Sequence, residues 1–149
     1  MKSFFFIYTL LSIFAVNIFA ANIPVKYQDV SQEKMQEQNR DIASMAAKEI
    51  SKNLPQKIDK FTTLQSIKNN NTTLVYTFLI HDPIKSDDEI IQQDHSRMQK
   101  AVTQGLCQSS KRFLQAGIDI SYIYKSAKSK RKLFRFDVTK EKCNYPSPR

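Results

Sequence analysis

The sequence predicts an α+β fold in which two helices pack on an antiparallel sheet. Two segments carry apolar residues at helical spacing, and each is followed by a pair of segments in which apolar and polar residues alternate. The chain also contains two cysteines. The expected order is therefore helix, strand, strand, helix, strand, strand, with one disulfide.

The first 20 residues have the pattern of a secretory signal. Met1-Lys2-Ser3 is a short basic start, and the apolar run Phe4–Ala20 ends at a small residue. The alternative is an uncleaved membrane anchor, but Thr9, Ser12 and Asn17 interrupt the run, which is shorter than the roughly 20 residues of a membrane-spanning helix. We therefore expect a signal peptide at residues 1–20, export, and no transmembrane segment after cleavage.

The rest of the chain is predicted to be one domain with a short lead-in. Residues 21–30 contain Pro24 and lack periodicity, which is typical of a flexible segment. Residues 31–149 suit a single α+β domain with a modest core. No cysteine directly follows the apolar run, so we do not expect a lipid anchor at the mature N terminus.

The first helix is predicted from about Ser31 to Lys52. Ser31 is a suitable N-cap, and Asn53-Leu54-Pro55 ends the helix because a residue before proline disfavours the helical region. The predicted buried stripe consists of Met35, Ile42, Met45, Ala46 and Ile50.

A hairpin follows, with predicted strands at residues 58–67 and 72–81. Asn69-Asn70-Asn71 is expected to form the turn, because asparagine tolerates a positive φ. Alternation in the second strand assigns one face to the core. That face consists of Leu74, Tyr76, Phe78 and Ile80.

The second helix is predicted to begin after Ser86 and to end at Gly117. Asp87-Asp88-Glu89 lies at its positively polarised N terminus, where acidic side chains are stabilising. The predicted apolar stripe consists of Ile90, Ile91, Met98, Ala101, Val102 and Leu106.

The clearest hairpin has predicted strands Ile118–Lys125 and Leu133–Thr139, joined by a turn at Ser126–Arg131. Its aromatic residues alternate along both strands, which favours packing in the core. The predicted core aromatics of the two hairpins include Tyr76, Phe78, Tyr122, Phe134 and Phe136. The alternative is that they stack on nucleic acid between basic side chains, but nucleic acid is not the expected partner of an exported protein.

The two cysteines, Cys107 and Cys143, are predicted to form a disulfide, because the chain is exported and contains no other pair. The alternative is a reactive or metal-binding thiol pair. The spacing is far from C-x-x-C, and His81 and His95 are the only histidines. We therefore expect no metal site and no cofactor.

The turn of the second hairpin is strongly basic. Its cations are Lys128, Lys130, Arg131, Lys132 and Arg135. One interpretation is that they only keep the hairpin soluble and discourage pairing of strand edges. The other is that they bind an anionic partner, either an acidic protein or the anionic surface of the envelope.

The sequence does not favour an enzyme. Glycine occurs only at positions 105 and 117, so there is no glycine-rich phosphate loop, and neither G-x-S-x-G nor H-E-x-x-H is present. A hydrolase that uses two carboxylates from distant positions is the alternative. We expect no catalytic residue.

Core and turn positions from the end of the first helix to the second cysteine resemble those of a loose class of small, exported bacterial α+β proteins with one disulfide. The resemblance also extends in build to the pilotins of bacterial secretion systems. The positions that carry it are Asn53-Leu54-Pro55, Ile58-Asp59, Thr62-Thr63-Leu64, Leu74-Val75-Tyr76, Leu106-Cys107, Gly117-Ile118, Tyr122, Tyr124, Val138-Thr139 and Cys143.

We therefore expect a non-enzymatic binding or envelope-assembly module that is periplasmic or secreted, including a secretion-accessory role. It would act through a sheet edge or through the basic hairpin, on a protein partner or an anionic envelope surface. The alternative is a secreted effector or inhibitor that acts on a host or rival molecule.

Overall fold

The computed structural model describes residues 31–145, in which helices pack on one face of a five-stranded sheet. The helices are α1 (Gln32–Ser51), α2 (Asp87–Ser109) and the short α3 (Lys111–Ala116). The strands are β1 (Gln56–Lys57), β2 (Thr62–Asn70), β3 (Thr73–Ile80), β4 (Asp119–Ser126) and β5 (Lys132–Val138), and a 3-10 turn covers Lys140–Lys142. The predicted signal peptide, the lead-in at 21–30 and the last four residues lie outside the described residues.

The sheet is mixed, so the prediction of an antiparallel four-stranded sheet is wrong in two respects. The strands are ordered as in the chain, and β3 and β4 are parallel while every other neighbouring pair is antiparallel. The reason is the helical connection, because α2 and α3 return the chain to the end of the sheet at which β3 begins. The additional strand, β1, is two residues long and too short to show alternation.

The predicted helix ends agree with the structure because local capping determines them. Ser31 Oγ accepts a hydrogen bond from the backbone N–H of Lys34 at 3.4 Å. Ser86 and Glu89 form a reciprocal capping box at the start of α2. Gly117 ends α3 with a φ of +87°, in the left-handed region that glycine adopts without steric cost.

The predicted buried stripe of α1 is wrong in part. Ala43 and Ala47 are the buried apolar residues of this helix, whereas the side chains of Met35 and Met45 are 45% and 64% exposed. Two alanines one turn apart allow the helix backbone to lie close to the sheet. The large methionines are therefore rotated away from the contact.

The core aromatics lie on the helix-covered face of the sheet, as their alternation indicates. Phe78, Phe134 and Phe136 are buried, while Tyr76 and Tyr122 are half-buried and pack against the core. The rings of Tyr76 and Tyr122 lie 5.0 Å apart, centroid to centroid. Burial raises the pKa of Tyr122 to about 12, because the apolar surroundings disfavour the charged phenolate.

The first hairpin turns later than predicted. β2 continues to Asn70, and the two turn residues are Asn71 and Thr72. Asn71 has a φ of +52°, which asparagine tolerates better than most residues.

Candidate binding surface

The turn between β4 and β5 is attached to the N terminus of α2. Ser129 Oγ donates a hydrogen bond to Asp87 Oδ2 at 2.6 Å, and Arg131 Nη1 lies 2.9 Å from Asp88 Oδ1. The hydrogen bond from Ser129, with a second from Ser126, lowers the pKa of Asp87. These contacts hold the turn in one position relative to α2.

The five predicted cations fall into two groups. Arg131 pairs with Asp88, and Arg135 pairs with Asp137 on the same strand, with Nε 3.0 Å from the carboxylate oxygens. Within residues 31–145, no salt bridge involves the other three. We call these three the hairpin lysines: Lys128, Lys130 and Lys132.

The second face of the sheet carries no described helix. Along β3 and β4, core residues alternate with Val75, Leu79 and Ile123. These three side chains do not pack against the core clusters. We call this surface the open face. Across the strands its rows are Thr63-Leu79-Lys125-Lys132, Ser66-Thr77-Ile123-Arg135 and Lys68-Val75-Ser121-Asp137.

A depression of about 550 Å³ lies on the open face beside the basic turn. Thr77 and Leu79 of β3 contribute to it, and three lysines from different elements line it, namely Lys68, Lys125 and Lys130. The basic turn and the open face therefore form one continuous surface. Sequence reasoning did not assign Lys68 or Lys125 to the site, although both are outward-pointing positions in alternating strands.

The disulfide lies at the other end of α2. Cys107 in α2 and Cys143 after the 3-10 turn are bonded, with their Cα atoms 5.5 Å apart. Tyr145 Oη donates a hydrogen bond to the carbonyl oxygen of Cys107 at 2.8 Å. The disulfide and the attached turn thus fix opposite ends of α2 to the segments that flank β5.

The histidines and acidic residues of residues 31–145 do not form a metal-binding cluster. In the described part of the chain, no three His, Cys, Asp or Glu side chains are placed to hold a metal ion. His95 packs beside Phe134 and Phe136, at centroid distances of 5.8 and 5.5 Å. None of the helices in residues 31–145 is long and apolar enough to cross a membrane.

Solved structures with a similar fold are pilotins and a candidate secreted protein. The pilotin EpsS of the Vibrio vulnificus type 2 secretion system is 13% identical with a TM-score of 0.63, covering 76% of this chain and 99% of its own. The type II secretion system pilotin AspS of Vibrio cholerae is 16% identical with a TM-score of 0.56, covering 74% and 97%. The candidate secreted protein, from Pseudomonas aeruginosa, is 12% identical with a TM-score of 0.65, covering 74% and 96%.

The fold is therefore similar to that of secretion pilotins, as the sequence resemblance predicted. The chain belongs to the family described as Domain of unknown function (DUF8479), whose model matches residues 34–134. A search of the curated proteins finds no match.

Proposed function

We propose that this chain is an exported, non-enzymatic accessory module of a bacterial secretion apparatus, which binds an anionic region of a partner protein through the hairpin lysines. The observation that carries the proposal is the attached basic turn. Its arginine is paired with α2, so the turn is positioned, while its three lysines stay available. The pilotin-like fold supports the envelope setting.

A protein partner suits this surface better than a flat lipid surface. Lys130 lines a depression together with Thr77 and Leu79, so one cation is placed next to apolar and hydroxyl side chains within a concavity. Protein side chains can enter such a depression, whereas lipid headgroups contact protruding cations.

Most of the acidic residues that a two-carboxylate hydrolase would need have structural partners instead; the exception is Asp119, whose pKa is raised by burial. Asp82 accepts hydrogen bonds from the backbone of Ile84 and Lys85. Glu89 completes the capping box of α2. Asp87, Asp88, Asp94 and Asp137 are bonded to serine, arginine or lysine side chains. These roles favour a binding module over an enzyme.

Cell fractionation tests the cellular setting. The proposal expects the mature protein, without residues 1–20, to remain with the periplasm or the envelope. The alternative, a secreted effector or inhibitor, requires most of the protein in the culture medium. Mass spectrometry of the N terminus in each fraction determines whether and where the signal is removed.

Binding at different salt concentrations tests whether the partner is an anionic protein or an anionic lipid surface. The parent should bind its protein partner at low salt and lose it as the salt concentration rises, since the screening length falls to about 8 Å at physiological ionic strength. Vesicles of phosphatidylglycerol are the competing probe. Binding to the vesicles with no protein partner would contradict the proposal.

A further inference from the structure

The two central strands have apolar residues on both faces, although the described helices cover only one. In β3, Leu74 and Phe78 face the helices, while Val75 and Leu79 face the other way. Ile123 of β4 also lies on this second face, beside the residues of β3. Parallel strand pairs with apolar residues on both faces normally belong to sheets that are covered on both sides. The centre of the open face thus carries an apolar strip that the described helices leave uncovered.

Cations surround this apolar centre. Lys68 lies on β2, Lys125 on β4 and Lys132 on β5, and Lys130 reaches the same depression from the turn. Two acidic residues lie in the register of this face: Asp137 is already paired with Arg135, and Asp119 lies at the end of β4 away from the basic turn. The surface therefore combines an apolar strip with a positively charged border.

One pair of these lysines is placed unfavourably for the isolated fold. Lys125 and Lys132 are direct cross-strand partners in β4 and β5. Like charges opposite each other on neighbouring strands are destabilising. An anionic group bound between them would relieve this repulsion.

We propose that the open face is the docking site for an acidic, amphipathic segment of the partner protein. Its apolar side chains contact Val75, Leu79 and Ile123, and its carboxylates pair with Lys68, Lys125 and the hairpin lysines. This inference rests on the proposed function and adds the docking surface and the chemistry of the partner.

The size and charge of the face fit a single chain segment. The distance from β2 to β5 is three strand spacings, or roughly 14 Å, which is slightly more than the diameter of about 10–12 Å of a helix with its side chains. A second copy of this basic chain would bring lysines against lysines. An acidic segment complements both the apolar strip and its border.

Synthetic peptides provide a direct probe. The test peptide has a central leucine run flanked on each side by glutamates. One comparison peptide replaces the leucines with serines, and the other replaces the glutamates with lysines. Binding is followed by fluorescence anisotropy, and its position is mapped by amide chemical shifts. The test peptide should bind and shift residues of β3 and β4 on the open face, while both comparison peptides should bind at least about tenfold more weakly.

Paired variants separate the two parts of the site. The double variant Lys68→Glu, Lys125→Glu should bind the test peptide about tenfold more weakly or worse. The double variant Val75→Thr, Ile123→Thr removes apolar contacts but keeps β-branched residues in the strands, and it should also bind the test peptide more weakly. The matched control is Lys34→Glu with Lys100→Glu, two exposed lysines on α1 and α2. The control carries the same charge change and should bind as the parent does. An unchanged far-ultraviolet circular dichroism spectrum shows that a variant is folded.

The inference is overturned if the shifted residues lie on α1 and α2, if the Lys68/Lys125 variant binds as tightly as the control, or if only phosphatidylglycerol vesicles bind. It is also overturned if light scattering shows a dimer that the Val75/Ile123 variant dissociates. A third outcome separates the two proposals. If removal of the hairpin lysines abolishes binding of the natural partner, but the test peptide shifts no residue of the open face, the proposed function stands and only this docking surface is excluded.

Discussion

Arg131 and Asp88 are 43 residues apart in the chain, yet their side chains form a hydrogen-bonded ion pair of 2.9 Å. The pair joins the basic turn to the first turn of α2. Both side chains are exposed, so the pair contributes little to global stability and serves mainly to place the turn. This position brings Lys130 to the depression beside Thr77 and Leu79.

The disulfide should make a large contribution to stability. Replacing Cys107 and Cys143 together with serine should lower the free energy of unfolding by roughly 2–5 kcal/mol, because the bond restricts the unfolded chain. Urea denaturation of parent and variant measures this difference. Thiol labelling of denatured protein from the oxidising compartment should detect no free thiol, and two free thiols would contradict the assignment.

Replacing a core aromatic residue with alanine should lower the free energy of unfolding by an amount that depends on how deeply the ring is buried. Phe134→Ala and Phe136→Ala should each destabilise the protein by about 3–5 kcal/mol, since both rings are buried under α2. Tyr76→Ala and Tyr122→Ala should cost less, because these side chains are half-buried. Denaturation midpoints give the comparison, and losses well below 1 kcal/mol at the phenylalanines would show that the faces of the sheet are inverted.

Asp94 should make stability depend on pH in the acidic range. A hydrogen bond from Arg97, with a second from Lys85, holds its pKa below the ordinary value of 3.8. A carboxyl group with a lowered folded-state pKa stabilises the fold above its unfolded pKa, and this stability is lost as pH falls through the folded value. The difference in unfolding free energy between parent and Asp94→Asn should therefore shrink below about pH 4. A difference that is constant from pH 7 to pH 3 would contradict this.

Local signals in the sequence predicted the elements well, because capping and alternation involve neighbouring residues. Ser86, Glu89 and Gly117 define helix ends by contacts within a few residues. The direction of β4 relative to β3 depends on how far the intervening helices carry the chain, which alternation alone does not show. The small residues Ala43 and Ala47 determine the buried side of α1 through close approach, which a count of large apolar residues misses.

The candidate site was predicted only in part, because tertiary structure brings its residues together. A run of basic residues is visible in the sequence, but the pairing of Arg131 with Asp88 depends on tertiary structure. The contribution of Lys68 and Lys125 required the register across β2, β3 and β4. The prediction that all five cations act together is therefore replaced by the proposal that the three hairpin lysines act with Lys68 and Lys125.

Partner capture from envelope extracts by a hairpin variant tests the central claim most directly. The variant replaces Lys128, Lys130 and Lys132 with glutamine and retains Arg131, which positions the turn. The matched control replaces Lys34, Lys48 and Lys100, which are exposed lysines on α1 and α2. We predict that parent and control retain the same secretion-apparatus protein at low salt and release it as salt rises, while the hairpin variant retains little. Equal retention by the hairpin variant, or retention that salt does not change, would contradict the account.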